Sequence, residues 1–238
     1  MKTSGQSGVF FLLFLREFNF ERMKRIISPS VLAADFSNLQ SACEMINRSE
    51  ADWIHIDVMD GVFVPNISFG FPVLEAIKKH CTKLIDVHIM IVNPEKYVKR
   101  FADAGAEMLT FHYEAAENPA EVIELIRQQG IKVGITINPD VPVSSLKPYI
   151  DKVDLVLLMS VFAGYGGQKF ISETYTRLEE LKSMVDVLNP GCMIQVDGGV
   201  SVNNAKQLFD HGANVLVAGS AVFNAPDPEG MIREMLNV

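Results

Sequence analysis

Residues 53–59 read Trp-Ile-His-Ile-Asp-Val-Met, a run in which every second side chain is aliphatic. Successive side chains of a β-strand point to opposite faces, so His55, Asp57 and Met59 share one face and the aliphatic residues share the other. In a barrel wall the aliphatic face packs against helices and the polar face turns inward. An imidazole and a carboxylate buried there without partners would be costly, so they need a partner such as a cation.

Strand-like runs and amphipathic helical stretches alternate on both sides of this strand. The strand candidates are 25–32, 52–59, 83–90, 108–112, 132–138, 155–161, 192–198 and 215–219. The helical candidates are 35–48, 71–80, 94–104, 119–129, 173–188 and 203–211. Pro94 and Pro119 stand at first helical turns, and Gly105, Gly130 and Gly212 follow helical segments. The alternation predicts an α/β fold, a single (β/α)8 TIM barrel, with a doubly wound open sheet as the alternative.

Composition is that of one acidic globular domain. The chain has 238 residues, 48% of them apolar and 21% charged, with a formal net charge of −8. Such a chain is a poor partner for nucleic acid, although backbone donors can still bind one phosphorylated small molecule. Cys43, Cys81 and Cys192 form no CxxC pair, which indicates a reducing compartment, and we expect a cytoplasmic protein.

The N-terminal region does not follow the barrel pattern. Residues 9–15 are a run of seven apolar side chains, too short to span a bilayer, and no small-x-small cleavage site follows. The strand pattern begins only after Met23. We therefore expect residues 1–22 to be a non-functional extension, with an added surface or interface helix as the alternative, and residues 23–238 to form the barrel domain. No membrane partner is expected.

Polar residues also end the third and seventh strands. Asp86 and His88 stand at spacing two in the third strand, and Asp197 ends the seventh. In a parallel barrel these strand ends meet at one mouth. A single buried histidine is more often a satisfied core residue, but His55, Asp57, His88 and Asp197 together predict a divalent transition-metal site. Asp86 is expected to support a ligand, and His112 at the end of the fourth strand is expected to be structural or peripheral.

Glycine-bearing turns follow the last three strands. They are Gly164-Tyr165-Gly166-Gly167, Gly198-Gly199 and Gly219-Ser220. Glycine lets backbone N–H groups approach an anion closely, and barrels often bind phosphate in the loops after strands seven and eight. The three turns together predict a phosphate site facing the metal site.

Several of these residues lie in motifs that resemble the ribulose-phosphate 3-epimerase family. The motifs are Ile27-Ser-Pro-Ser-Val-Leu-Ala-Ala-Asp35, His55-Ile-Asp-Val-Met-Asp-Gly-Val-Phe-Val-Pro-Asn66, Asp86-Val-His-Ile-Met90 and Val196-Asp-Gly-Gly199. The resemblance runs from about Lys24 to the C-terminus. It implies a TIM barrel of the ribulose-phosphate-binding type and an isomerase that interconverts D-ribulose 5-phosphate and D-xylulose 5-phosphate.

The resemblance also implies a role for each matching residue. His55, Asp57, His88 and Asp197 would hold one divalent metal ion per subunit, either Zn, Fe, Mn or Co. Asp57 and Asp197 would be the catalytic acid and base. Substrate contacts are implied for Ser30, His88, Met59, Met90, Met159, Gly164, Tyr165, Gly166, Gly167, Asp197, Gly198, Gly199, Gly219 and Ser220. A homo-oligomer, either a dimer or a hexamer, is implied as well.

One segment departs from the family. Family members read Val-x-Pro-Gly-Phe-Gly-Gly-Gln-x-Phe with a polar residue before the proline, whereas this chain has Phe162-Ala163 there. Loss of proline predicts a looser phosphate loop, and Ala163→Pro is expected to tighten substrate binding by at most about 0.4–1 kcal/mol. The departure leaves an allulose-6-phosphate 3-epimerase as the nearest alternative, and a catalytically silent barrel that binds a sugar phosphate as a second. A metal-independent barrel is disfavoured because no lysine stands at a predicted strand end.

Overall fold

The computed structural model describes residues 24–238, and the predicted extension over residues 1–22 lies outside them. Within the described part, eight strands follow one another along the chain. They are β1 (Ile26–Pro29), β2 (Trp53–Met59), β3 (Leu84–Met90), β4 (Met108–His112), β5 (Lys132–Ile137), β6 (Leu155–Met159), β7 (Met193–Asp197) and β8 (Val215–Ala218). Each one falls inside a segment that the sequence predicts as a strand.

The strands form one closed parallel sheet. Their order is β1-β8-β7-β6-β5-β4-β3-β2, with every neighbouring pair parallel. A parallel bridge between Ser30, which directly follows β1, and His55 of β2 joins the two ends of that order. The predicted (β/α)8 barrel is therefore confirmed, and the alternative of an open doubly wound sheet is wrong.

Helices cover the outside of the barrel. They are α1 (Leu39–Arg48), α2 (Phe71–His80), α3 (Val98–Asp103), α4 (Pro119–Gln128), α5 (Thr174–Leu188), α6 (Val202–Asp210), α7 (Ser220–Phe223) and α8 (Pro228–Leu236). Two predicted helices are shorter than expected, because 3-10 turns at Phe36–Asn38 and Pro94–Lys96 precede α1 and α3. In the first case the side chain of Asn38 accepts from the Ser41 N–H and starts α1 only at Leu39.

The connection from β5 to β6 is the exception to the helical pattern. Two 3-10 turns, Val143–Leu146 and Ile150–Lys152, replace an α-helix there. Proline at positions 139, 142 and 148 accounts for this, since each proline fixes φ and removes a backbone donor that a continuous helix would need. Among residues 24–238, no helix is long and apolar enough to cross a membrane.

The two faces of the strands carry different residues, as residues 53–59 predicted. Outward aliphatic side chains such as Ile54, Ile56 and Leu158 are fully buried against the helix layer. Burial of each such side chain contributes about 1.5–3 kcal/mol of hydrophobic free energy. Inside the barrel, Trp53 and Met108 belong to an apolar cluster. Polar inward residues follow them along the same strands, His55 and Asp57 in β2 and Thr110 and His112 in β4.

Candidate functional site

Strand register brings four polar side chains together at the mouth. In the β2–β3 pair, His55 lies opposite Asp86, and Asp57 lies opposite His88. Asp197 ends β7, on the far side of β1 and β8 from β2. Each of His55, Asp57, His88 and Asp197 offers one potential ligand atom, and these atoms all lie within 4.8 Å of one another. The structure therefore brings together the four residues that the sequence predicts as metal ligands.

A buried carboxylate holds the His55 ring. His55 Nδ1 lies 2.7 Å from Asp86 Oδ2, and Gln195 Nε2 donates to the same oxygen at 2.6 Å. His55 Nε2 faces the cluster, 3.3 Å from Asp57 Oδ1, and is buried without a hydrogen-bond partner. Burial opposes charge on this ring, but Asp57 and Asp86 outweigh it and raise the pKa of His55 well above its usual range. An unpartnered buried nitrogen aimed at two carboxylates fits a cation site.

The two aspartates of the cluster have opposite proton affinities. Asp57 accepts from Ser30 Oγ at 2.5 Å and lies 3.2 Å from His88 Nδ1. Burial favours its neutral form, but His55 and His88 outweigh burial and hold the pKa of Asp57 well below its usual range. Burial, followed by repulsion from Asp57, raises the pKa of Asp197 to about 7. Without a cation, one carboxyl is thus ionised and the other holds a proton up to about neutral pH.

His88 is held by a second histidine. His88 Nε2 lies 2.9 Å from His112 Nε2, and the carboxylate of Glu114 lies 3.5 Å from His112 Nδ1. Both rings are fully buried, so His112 takes the structural position of the two that were expected, and not the peripheral one. Burial, which outweighs attraction to Glu114, lowers the pKa of His112 to about 4 and keeps this ring neutral. Only its position at the end of a strand signalled a role in the sequence.

A cavity of about 790 Å³ opens above the cluster. Asp57 and Asp197 line it, whereas His55 and His88 lie below its surface. Every residue with a predicted substrate contact except His88 lines this cavity: Ser30, Met59, Met90, Met159, Gly164, Tyr165, Gly166, Gly167, Asp197, Gly198, Gly199, Gly219 and Ser220. Asn66 and Gln168 also line it. Both lie in segments already compared with the family, but neither was assigned a contact.

Glycine is required at the turn after β7. Gly198 has φ +115° and Gly199 has φ +61°. A Cβ on Gly199 would lie 2.6 Å from the backbone nitrogen of Phe170 and 2.9 Å from the carbonyl oxygen of Gln168. The turn therefore packs its backbone directly against the backbone of the β6–α5 loop. This close approach brings two of the predicted phosphate-binding segments together.

The β6–α5 loop (residues 160–173) is held more firmly than the loss of proline suggests. The Ala163 N–H donates to Asn138 Oδ1 at 3.0 Å, and Asn66 Nδ2 donates to the Gly164 carbonyl at 2.8 Å. Tyr165 Oη donates to the Pro65 carbonyl at 2.7 Å. A proline at position 163 could not make the first of these bonds. In this chain a hydrogen bond to Asn138 takes the place of the fixed φ of proline. The loss of proline is therefore no longer a reason to expect a loose loop.

The comparison with protein families assigns the chain. A family model described as the ribulose-phosphate 3 epimerase family matches residues 26–223. The chain belongs to the ribulose-phosphate 3-epimerase family. The matched segment includes the four residues of the cluster and all three glycine-bearing turns.

Curated relatives of this family cover most of the chain. Ribulose-phosphate 3-epimerase of Schizosaccharomyces pombe is 42% identical over 89% of this chain and 92% of the relative. The Synechocystis enzyme of the same name is 45% identical over 85% of this chain and 89% of its own. The Bacillus subtilis enzyme is 43% identical over 88% of this chain and 97% of its own.

Solved structures of lower identity share the fold. A mutant tryptophan synthase alpha-subunit from Pyrococcus furiosus has a TM-score of 0.68 and 18% identity over 90% of this chain and 98% of its own. Orotidine 5'-phosphate decarboxylase from Pyrococcus horikoshii has a TM-score of 0.62 and 14% identity over 89% of this chain and 98% of its own. At this identity the likeness establishes the barrel architecture alone.

Proposed function

We propose that this isomerase inverts carbon 3 of D-ribulose 5-phosphate to give D-xylulose 5-phosphate, and catalyses the reverse reaction. The observation that carries the proposal is a pair of carboxyl groups, buried Asp57 and partly buried Asp197, that line one cavity with opposite proton affinities. Ribulose-phosphate 3-epimerase is also the name of the curated relatives at 40–45% identity.

Two carboxyl groups suit this chemistry. Inversion next to a ketone requires removal of a proton from one face of carbon 3 and delivery of a proton to the other face. The groups come from β2 and β7, which are separated by β1 and β8, so they reach the cavity from different parts of the wall. The ionised carboxylate removes the proton, the protonated carboxyl returns one, and the substrate passes through an enediolate. The groups exchange roles in the reverse direction.

The cluster fits a divalent metal ion. His55, Asp57, His88 and Asp197 would hold it, and the unpartnered His55 Nε2 supports this assignment. Nitrogen and carboxylate donors suit zinc, iron, manganese and cobalt alike. When bound, the ion supplies Lewis-acid stabilisation of the enediolate oxygens.

The rest of the cavity suits a phosphorylated ketose. The glycine turns offer backbone N–H groups for the phosphate, and Ser30 is near enough to Asp57 to orient the reacting end of the sugar. Met59, Met90 and Met159 line the same cavity and place apolar, non-titrating surface beside the intermediate. Confinement by such side chains excludes groups that would exchange protons with the enediolate.

The alternatives from the sequence are disfavoured. The three curated relatives described above carry the name ribulose-phosphate 3-epimerase. A catalytically silent barrel that only binds a sugar phosphate would not require two carboxyl groups of opposite proton affinity in its cavity. We further propose a homo-oligomer, either a dimer or a hexamer, in the cytoplasm, with no nucleic-acid partner.

Isotope exchange tests the proposal directly. The enzyme is incubated in heavy water with ribulose 5-phosphate and, separately, with allulose 6-phosphate. We expect deuterium at carbon 3 and formation of xylulose 5-phosphate from the first substrate, at a much higher rate than from the second. Faster exchange with allulose 6-phosphate would move the assignment to that substrate, and binding without exchange in either case would indicate a silent barrel.

A further inference from the structure

The contact between His88 and His112 constrains where protons can lie. The two Nε2 atoms are 2.9 Å apart, and the ring centroids are 5.0 Å apart with an angle of 27° between the planes. The rings therefore meet edge to edge and nearly in one plane, which is the geometry of an N–H···N hydrogen bond. Two neutral imidazoles satisfy such a contact only if one nitrogen carries a proton and the other does not.

The opposite edges of the two rings decide which nitrogen carries the proton. His88 Nδ1 faces the cluster, 3.2 Å from Asp57 Oδ1, so a metal ion held there needs this nitrogen without a proton. His88 must then be protonated at Nε2 and donate to His112. His112 in turn keeps its proton on Nδ1, which makes no hydrogen bond but lies 3.5 Å from the Glu114 carboxylate.

Glu114 is itself fixed by the backbone. Its Oε1 accepts from the Asn138 N–H at 2.7 Å, directly after β5. Its other oxygen, Oε2, is the one that faces His112. A carboxylate held in this way favours the form of His112 in which Nδ1 is protonated, because the opposite form would place a lone pair against its negative charge.

We propose that His112 is a positioning residue for the metal cluster, in which its Nε2 accepts the Nε2 proton of His88 and thereby leaves His88 Nδ1 free to ligate. This role rests on the proposed metal at the cluster. It makes His112 the counterpart of Asp86, which holds His55 from the other side of the cluster. A neutral imidazole thus supports one ligand and a carboxylate supports the other.

Substitution at position 112 tests the role through metal affinity. Removal of a residue that orients a ligand typically weakens metal binding about 10–100-fold, and we expect this loss for Co²⁺ in His112→Phe, with a changed visible absorption spectrum. Glutamine carries an acceptor oxygen close to the position of a histidine Nε2, so His112→Gln should recover most of the affinity. Thr136→Val is the matched control, because Thr136 pairs with His112 in the β4–β5 register and is equally buried.

The possible results of the Co²⁺ titration distinguish failure of the positioning role from failure of the proposed metal site. Wild-type affinity and spectrum in His112→Phe would overturn the positioning role and leave the metal site intact. Equal losses in the phenylalanine and glutamine variants, or in Thr136→Val, would assign the effect to packing and also overturn it. A wild-type chain that binds no Co²⁺ would overturn the metal site and the positioning role together.

A second measurement uses the wild-type protein and therefore does not depend on the folding of any variant. In ¹⁵N-histidine NMR spectra of the zinc-loaded wild type, long-range couplings identify the protonated nitrogen of each ring. We expect His88 to be protonated at Nε2 and His112 at Nδ1. Protonation of His112 at Nε2 would overturn the proposal, whatever the variants do.

Discussion

The β2–β3 side and the β6–β8 side of the barrel mouth are built in opposite ways. On the first side, buried side chains converge, and each imidazole is held by a further residue, Asp86 for His55 and His112 for His88. On the second side, backbone lines the cavity, with glycines at positive φ such as Gly164 and Gly199. The difference teaches that the proposed metal site depends on particular side-chain atoms, whereas the proposed phosphate site depends on particular backbone paths. Substitutions on the first side should therefore lower kcat and metal content, whereas substitutions on the second side should weaken substrate binding.

The largest effect is expected on the side-chain half. Asp57→Asn and Asp197→Asn should each lower kcat by at least about 10²-fold, because each removes a proton carrier and a metal ligand. Steady-state kinetics and metal content measure the two losses. Asp52→Asn is the control, since Asp52 pairs with Lys24 before β2 at the opposite end of the barrel and should leave kcat unchanged. Near-normal turnover in either cluster variant with metal bound would refute the two-carboxyl mechanism.

A comparable test on the backbone half should affect binding alone. In Gly199→Ala the new Cβ meets the Phe170 backbone nitrogen at 2.6 Å, so the β6–α5 loop has to move. We expect KM to rise at least about tenfold, which corresponds to about 1.4 kcal/mol. Metal content should not change.

Gly167→Ala separates the clash from the cost of the backbone conformation. Gly167 has φ +71°, but a Cβ there meets nothing within 4 Å. This variant therefore has only the cost of a left-handed backbone conformation, about 1–2 kcal/mol. Its KM should rise less than that of Gly199→Ala. Loss of metal from Gly199→Ala but not from Gly167→Ala would show that the two halves of the mouth are mechanically coupled.

The pH dependence of metal binding sharpens the contrast further. The pKa of Asp197 is raised to about 7 without a cation, so below that pH a metal ion has to compete with a proton for this carboxyl group. Affinity for Co²⁺ should therefore fall by up to about tenfold more per pH unit below neutrality than above it. Asp197→Asn should bind Co²⁺ weakly and lose this extra dependence on pH below neutrality. Gly199→Ala and Gly167→Ala should keep it. An unchanged pH slope across neutrality would contradict the raised pKa.

Ala163→Pro should change substrate affinity little in either direction, whereas the sequence predicted a modest tightening. A fixed φ is worth about 0.4–1 kcal/mol, but proline removes the donor to Asn138 Oδ1, a bond worth about 0.5–1.5 kcal/mol. The two contributions offset one another, so substrate affinity should change by less than about fivefold. Asn138→Ala should weaken binding in the wild type and have no further effect in Ala163→Pro. Additive losses in the double variant would show that this hydrogen bond does not hold the loop.

The smallest effect is expected from removal of the N-terminal segment. A chain that begins at Met23 keeps every strand that the structure describes in residues 24–238, and the barrel pattern starts after Met23. It should match the full chain in kcat and in melting temperature. A lower melting temperature or a change in oligomeric state would assign residues 1–22 a structural role.

The sequence supported some features of the site better than others. His55 and Asp57 could be predicted because alternation within a single strand reveals which face a side chain takes. For His112 the sequence left a structural and a peripheral position open, since its contact with His88 joins two strands and spacing within one strand does not report it. Ala163 was judged by the loss of proline alone, because its partner Asn138 lies at the end of a different strand.

By itself, the sequence determined the barrel, its eight strands and the four residues of the cluster, because strand and helix periodicities are local and parallel strand ends share one edge. Only the tertiary structure decided which nitrogen of each imidazole faces the cluster. It also decided which of Asp57 and Asp197 has the higher pKa, and how the β6–α5 loop is held. Those properties arise from burial and from hydrogen bonds between residues distant in the chain, such as His88 with His112 and Asn138 with Ala163. Local patterns cannot encode them, since each depends on a contact between segments that are far apart in the sequence.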